Sequence, residues 1–132
     1  MAYILVIDDE KVIAMVIKEI LESKGYKVVT ASDGGTGIEY LFKHPKPDLV
    51  LTDLRMPGID GCTVINTMNS DPDLRKIPKV IISGSIPELS DLPPENSYDA
   101  LLVKPFDLDE LIRTTQALTS ADTGVSLSTA SV

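Results

Sequence analysis

Apolar and polar positions follow two different periods along the 132-residue chain. Short apolar runs bounded by polar or turn-forming residues are typical of β-strands. Five such strands are predicted: YILVI (3–7), KVVTA (27–31), DLVLT (48–52), KVIIS (79–83) and ALLVK (100–104). Four of them are almost continuously apolar, which indicates strands covered on both faces and therefore a parallel sheet, whereas KVVTA is more polar and suits an edge.

Helical stripes separate most of these strands. Apolar side chains recur at the spacing of one helix face within residues 11–24, and Gly25 follows as the expected C′ residue. The same spacing predicts three further helices, over residues 36–43, 61–69 and 108–118. The glycine-rich stretch DGGTGIE (33–39) is interpreted as a weakened helix start capped by Ser32 or Asp33. The stretch between the fourth and fifth strands differs, because it is proline-rich and has little periodicity. The fourth helix of the alternating pattern is therefore expected to be short or irregular.

The alternation of strand and helix predicts the fold class. It is typical of an α/β protein with a doubly wound, five-stranded parallel sheet of the flavodoxin-like type. The predicted strand order is 2-1-3-4-5, and right-handed crossovers place helices on both faces of the sheet. A single domain is expected over residues 1–118. The small and polar residues 119–132 are expected to form a flexible tail or the start of a linker.

Composition narrows the functional classes. The net charge of −8 argues against non-specific binding to nucleic acid, which depends on Lys and Arg at the phosphates. The single cysteine, Cys62, allows no internal disulfide and fits a reducing compartment. No apolar run approaches the roughly 20 residues that span a bilayer. A cytoplasmic protein without a membrane segment is therefore predicted.

Reactive side chains follow four of the five strands. They are Asp8 and Asp9 after the first, Asp53 at the end of the third, Ser83 at the end of the fourth, and Lys104 at the end of the fifth. Parallel strands end at one edge of the sheet, where open α/β folds bind ligands. Three carboxylates at one edge repel unless a cation intervenes, and their hard oxygens suit Mg²⁺ or Mn²⁺. The set predicts a phosphoryl-transfer site with Asp53 as the nucleophile.

Four motifs, in this order and at these strand ends, carry a resemblance to a known family. They are VIDDEK, LVLTDLRMPGIDG, IISG and LLVKPF. With them the chain resembles, from residue 2 to about 118, the receiver domain of two-component response regulators. The resemblance implies a phosphoaccepting domain that switches protein contacts and turns over no separate metabolite. It also implies a histidine kinase or phosphotransfer protein as the partner.

The resemblance implies roles for the acidic residues. Asp53 would take a phosphoryl group from a phosphohistidine and form an acyl phosphate. Asp9 would bind Mg²⁺ directly, and Asp8 partly through water. The backbone carbonyl of Arg55 would be a further ligand to the metal.

The resemblance also implies roles near the last two strands. Ser83 would move onto the phosphoryl oxygen, and Lys104 would pair with it. Gly84 would leave access to the acyl phosphate, and the Lys104–Pro105 bond is typically cis in the family. Leu101 stands where the family usually carries Tyr or Phe, three residues before the lysine. Standard phosphorylation-driven dimerisation is therefore not assumed, and a monomer or weak dimer is expected.

Three other functions are compatible with parts of the sequence. One is a receiver-like interaction module with weak or non-standard phosphorylation output, which the residue at position 101 and the proline-rich stretch favour. Another is a hydrolase with an aspartyl nucleophile, but such enzymes have a second acid two residues on, where this chain has Arg55. The third is a flavodoxin-like cofactor binder, whose first loop needs Ser, Thr and Gly rather than the acids of residues 8–10.

Overall fold

The structure, a computed structural model, describes residues 2–84 and 92–119. In chain order its helices and strands are β1 (Tyr3–Ile7), α1 (Lys11–Ser23), β2 (Lys27–Ala31), α2 (Gly34–Lys43), β3 (Leu49–Asp53), α3 (Gly61–Asn69), β4 (Lys79–Ser83), β5 (Ala100–Val103) and α4 (Leu108–Thr119). Two short 3-10 turns, Leu74–Lys76 and Glu95–Ser97, precede β4 and β5. The prediction of an irregular fourth helix falls mostly on residues 85–91, which lie outside the described residues.

The five strands form one parallel sheet in the order β2-β1-β3-β4-β5, which confirms the predicted topology. From β1 the chain adds β2 on one side of the sheet, and it then adds β3, β4 and β5 on the other side. The direction in which strands are added therefore changes between the neighbouring strands β1 and β3. In the β3–β4 pair, Asp53 lies opposite Ile82. In the β4–β5 pair, Ser83 lies opposite Val103. The register therefore brings the carboxyl ends of the central strands to one edge.

Alternate side chains of the strands fill two cores, one on each face of the sheet. On one face, Ile4, Val6 and Leu51 pack with α1 and α4. On the other, Leu5 and Val50 pack with α2 and α3. Each fully buried aliphatic side chain contributes about 1.5–3 kcal/mol relative to exposure, which is why apolar residues occupy both faces of the strands. A smaller third cluster lies at the β4 side of the second face, around Leu54, Ile65 and Ile81.

The helix bounds agree with the prediction to within one residue, apart from the glycine-rich start of the second helix. That helix begins at Gly34, two residues before the apolar stripe of residues 36–43. Of the two predicted caps Asp33 is the one used, because its carboxylate accepts a hydrogen bond from the Thr36 N–H at 2.7 Å. The close approach of Ile59 also requires a glycine at position 34, where a Cβ would overlap the Ile59 carbonyl. The last helix includes Thr119, the first residue of the predicted tail.

The side chain of Thr119 explains why the helix reaches that residue. Its hydroxyl donates to the Thr115 carbonyl at 2.7 Å and lies 3.0 Å from the Tyr26 hydroxyl. The remaining residues of the predicted tail, 120–132, lie outside the described residues.

The first helix ends as predicted. Gly25 has a φ of 95°, and its N–H donates to the Glu22 carbonyl at 3.1 Å. Only glycine adopts this left-handed conformation without steric cost, so the helix stops and the chain turns into β2.

Candidate functional site

Backbone hydrogen bonds position the site at the carboxyl edge of the sheet. The Asp8 N–H donates to the Ala31 carbonyl at 3.0 Å, which continues the β1–β2 ladder one residue beyond β1. On the other side of the sheet, the Lys104 N–H donates to the Ser83 carbonyl at 2.7 Å. Asp53 is the last residue of β3, between these two points. Three strands and their ladders therefore fix the acids and the lysine in one place.

The lysine joins three carboxylates. Its Nζ lies 2.8 Å from Glu10 Oε1, 3.3 Å from Asp8 Oδ2 and 3.8 Å from Asp53 Oδ2. Asp8 and Asp53 are 1% and 5% exposed, whereas Glu10 is exposed. One positive charge thus faces three negative charges, two of them buried. Such an arrangement has an uncompensated negative charge that a further cation would relieve.

The pKa values report this imbalance. Burial, followed by the nearby Asp8 charge, raises the pKa of Asp53 to about 6, and Lys104 offsets only part of that rise. Burial also raises the pKa of Asp8. Burial by itself would lower the pKa of Lys104, but the hydrogen bond to Glu10 and the charges of the three carboxylates raise it overall. The lysine therefore stays protonated while the buried acids resist ionisation.

The donor set fits a hard divalent cation. One oxygen each from Asp8, Glu10 and Asp53 lie within 4.8 Å of one another. Asp8 Oδ2 is buried and accepts no hydrogen bond, although the Lys104 ammonium lies nearby. A buried carboxylate oxygen whose charged neighbour is a lysine 3.3 Å away retains lone pairs for a cation, and oxygen ligands of this kind suit Mg²⁺ or Mn²⁺. The residues present therefore fit the metal that the sequence predicts.

The places of two acidic residues differ from the sequence-based expectation. Glu10 belongs to the oxygen cluster, although no role was expected for it. Asp9 is exposed and contributes no oxygen to that cluster, although its charge still raises the pKa of Asp53 slightly. The third consecutive acid of VIDDEK was a signal for Glu10. Its ion pair with a lysine 94 residues away was not visible in the sequence.

The other predicted site residues lie at or near the same edge. Ser83 is buried at the end of β4. Gly84 is exposed, and within residues 2–84 and 92–119 no atom lies within 4 Å of where its Cβ would be. The Lys104–Pro105 bond is cis. The Arg55 residue is exposed two positions after Asp53, and its role as a carbonyl ligand stays a prediction.

Leu101 lies farther from the acids. Its half-buried side chain packs against the third cluster, together with Cys62, Leu92 and Tyr98. Tyr98 therefore places an aromatic ring in this cluster, although not at the position where the family usually carries one.

Comparison with known proteins identifies the family. The family described as response regulator receiver domain matches residues 4–116. Sporulation initiation phosphotransferase F of Bacillus subtilis is 33% identical over 111 residues, which cover 82% of this chain and 86% of that protein. Protein PilH of Pseudomonas aeruginosa is 32% identical over 120 residues, covering 89% of this chain and 98% of that protein.

Solved structures agree with the sequence relatives. The receiver domain of a signal transduction histidine kinase from Syntrophus aciditrophicus superposes with a TM-score of 0.84 at 28% identity, covering 92% of each chain. The response regulator TrrA of Thermotoga maritima, solved in complex with Mg²⁺ and BeF, has a TM-score of 0.79 at 32% identity. That match covers 89% of this chain and 99% of TrrA.

The fold, the acidic cluster and these matches together define the class of protein. The chain belongs to the response regulator receiver domain family and is a receiver domain of the two-component type. Receiver domains are signalling domains that accept phosphoryl groups from histidine kinases or phosphotransfer proteins. The alternative of a receiver-like interaction module with weak or non-standard phosphorylation output is not favoured, because the acidic pocket is in place.

Some matched proteins are much longer than this chain. The chain spans 49% of the transcriptional regulator RpaA of Synechocystis and 26% of the response regulator PleD of Caulobacter vibrioides. Their full activities are therefore not transferred. Within the described residues, no helix is long and apolar enough to cross a membrane.

Proposed function

We propose that Asp53 is the phosphoacceptor of this receiver domain and that the site uses Mg²⁺. The observation that carries the proposal is the convergence of Asp8, Asp53 and Lys104 at one edge, with Lys104 Nζ within 3.8 Å of both aspartates. The pKa of Asp53, about 6, supports the proposal. Near neutral pH the Asp53 side chain is ionised in most molecules, although it is poorly solvated. A poorly solvated carboxylate at the edge of a cleft is suited to nucleophilic attack.

The proposed step is an in-line transfer. An Asp53 carboxylate oxygen attacks the phosphorus of a phosphohistidine, a phosphorus–oxygen bond forms, and the phosphorus–nitrogen bond breaks. The electron pair of that bond leaves with the imidazole of the donor. The product is an acyl phosphate on Asp53, and the protein contributes mainly positioning and charge stabilisation.

Three neighbouring residues support this step. Lys104 is held near Asp53 by its place at the end of β5, so its ammonium faces the charge that develops on the phosphoryl oxygens. Ser83, at the end of the adjacent β4, supplies a hydroxyl donor. Gly84 keeps the approach open on the side of the described residues, because none of their atoms lies within 4 Å of where its Cβ would be.

The proposed metal ligands are carboxylates of Asp8, Asp9 and Asp53 with the Arg55 carbonyl. Mg²⁺ at this position would neutralise the acids and polarise the phosphoryl oxygens. The buried Oδ2 of Asp8, which has the Lys104 ion pair but no well-aligned hydrogen bond from the described residues, supports its role, whether the contact with the metal is direct or through water. Asp9 is exposed, so its carboxylate would have to turn inward from solvent to reach a metal beside Asp53.

The chain is proposed to catalyse only its own phosphorylation and dephosphorylation. In dephosphorylation, water attacks the phosphorus and forms a new phosphorus–oxygen bond while the bond between phosphorus and the Asp53 oxygen breaks. The Asp53 carboxylate and inorganic phosphate, which keeps the protons of the water, then separate. A general hydrolase is not favoured, because Arg55 stands where an acid would be needed. A monomer or weak dimer without nucleic-acid binding, in the cytoplasm, stays the prediction for the domain.

The output is proposed to pass through the third cluster. Leu54 directly follows Asp53 and packs in that cluster with Ile81, against which Leu101 and Tyr98 pack. A displacement at Asp53 would therefore be transmitted through these side-chain contacts to β5 and to the 3-10 turn Glu95–Ser97, which Tyr98 follows. We infer that Leu101 and Pro105 contribute to the switch even though the usual aromatic residue at position 101 is absent.

The experiment is phosphorylation by acetyl phosphate, followed by intact mass and by amide NMR. We expect one Mg²⁺-dependent phosphoryl adduct on the wild type, with amide shifts at Ser83 and Lys104. Asp53→Ala should give no adduct, whereas the exposed-residue control Asp73→Ala should behave like the wild type. An adduct that persists in Asp53→Ala would contradict the proposal, and so would release of phosphate from many simple phosphomonoesters.

A further inference from the structure

Glu10 has the shortest contact to the site lysine. Its Oε1 lies 2.8 Å from Lys104 Nζ, nearer than the oxygens of Asp8 at 3.3 Å and Asp53 at 3.8 Å. The lysine side chain is 13% exposed, so few alternative partners are available to it. Among the described residues, therefore, the shortest contact of the ammonium is to a carboxylate that is not part of the predicted phosphoacceptor set.

The backbone directs Glu10 to this position. Its N–H donates to Asp8 Oδ1 at 2.9 Å, and its carbonyl accepts the Ala14 N–H at the start of α1. These two bonds fix the chain where it enters the helix, so the side chain starts from a defined place beside the site. The side chain itself is 59% exposed and can move into solvent without leaving a buried charge unpaired.

The charge of Glu10 acts in opposite directions on the two ligands of the site. A third carboxylate within 4.8 Å of Asp8 and Asp53 attracts a divalent cation. The same carboxylate repels an anionic phosphoryl group and competes with it for the ammonium of Lys104. A second observation concerns Asp8 Oδ2, which is buried: it forms an ion pair with Lys104 Nζ at 3.3 Å but accepts no well-aligned hydrogen bond from the described residues.

We propose that Glu10 is a positioning residue that holds Lys104 in the unphosphorylated protein and releases it to the phosphoryl group. This inference rests on the proposed function of Asp53. The charge of Glu10 favours binding of the metal. It opposes binding of the phosphoryl group until Lys104 leaves Glu10 and pairs with that group. Receiver chains with a neutral residue at this position would lack both effects.

The test compares Glu10→Gln with the wild type in two titrations followed by amide NMR. The first adds Mg²⁺ alone. The second adds beryllofluoride, which imitates a phosphoryl group, at saturating Mg²⁺. We expect Glu10→Gln to bind Mg²⁺ about three- to tenfold more weakly, because one attracting charge is lost. We expect it to bind beryllofluoride about two- to fivefold more tightly, because an exposed ion pair no longer competes.

Glu19→Gln is the matched control, since it makes the same charge change on α1, about 13 Å farther along the helix axis. That distance exceeds the screening length at physiological salt, so both affinities should stay at wild-type values. Equal or weaker beryllofluoride binding by Glu10→Gln would overturn the inference, as would an unchanged Mg²⁺ affinity. A misfolded variant would bind both ligands more weakly, and that result would also count against the inference. Failure of the wild type to bind beryllofluoride would instead contradict the proposed function.

Discussion

Replacing Asp53 by Asn should stabilise the metal-free protein near neutral pH. The wild-type carboxyl group is 5% exposed, and its pKa is raised from 3.8 to about 6, chiefly by burial and then by the charge of Asp8. A carboxylate with a raised pKa is more costly to ionise in the folded chain than in the unfolded chain. An amide of the same shape removes that cost and keeps the packing, so the free energy of unfolding should increase.

The sign and size follow from proton linkage. The folded protein binds more protons than the unfolded chain between pH 3.8 and about 6, so this group's contribution to stability falls as the pH rises through that window. A rise of the pKa from 3.8 to about 6 corresponds to about 3 kcal/mol once both states are ionised. The advantage of Asp53→Asn should therefore be about 3 kcal/mol above about pH 7 and roughly half of that near pH 5.

The assay is urea unfolding followed by circular dichroism, in EDTA, at several pH values from about 4.5 to 7.5. Asp73→Asn is the control, because Asp73 is exposed and its change should stay within about 0.5 kcal/mol at every pH. If Asp53→Asn were as stable as the wild type at neutral pH, or less stable, the electrostatic account of the site would be refuted. A gain that did not depend on pH would also refute it.

Three further outcomes are expected. Mg²⁺ at ten times its dissociation constant should raise the free energy of unfolding of the wild type by about 1.4 kcal/mol, and thermal melts should show a smaller gain for Asp53→Asn. Gly61→Ala should cost about 1–3 kcal/mol, because its Cβ would overlap the Asp53 carbonyl, whereas Gly84→Ala enters open space and should stay within about 0.5 kcal/mol by urea unfolding. Asp60→Ala should cost about 1 kcal/mol in the same assay, because the Asp60 carboxylate caps α3 by accepting the Thr63 N–H at 2.9 Å, and an unchanged midpoint would contradict that cap.

The sheet could be predicted from the sequence because its physical requirement is local. A strand covered on both faces needs an almost unbroken apolar run, and β1 and β4 have the predicted bounds. β3 was predicted as residues 48–52 and lies one residue further along, at Leu49–Asp53, so the acid that interrupts the apolar run is the last residue of the strand. The glycine-rich start of α2 could be predicted only in outline, with Ser32 or Asp33 as the cap. In the structure Asp33 is the cap, and the closeness of Ile59 explains the glycine at position 34.

The site could be predicted in part for a different reason. Parallel strands end at one edge, so Asp8, Asp53 and Lys104 had to lie near one another once the topology was right. Their detailed pairing depends on side-chain directions that no sequence pattern encodes. The contact of Glu10 with Lys104 is of this kind, because Glu10 lies in the loop after β1 and Lys104 in the loop after β5.

The most direct measurement of the central claim is the identity of the phosphorylated residue. The protein is treated with acetyl phosphate and Mg²⁺, the acyl phosphate is reduced with borohydride, and the peptides are sequenced by mass spectrometry. The account predicts homoserine at position 53, and none there in a sample kept in EDTA. Reduction at Asp8, Asp9 or Glu10 with position 53 unchanged would contradict the claim, as would a protein that acquires no acyl phosphate.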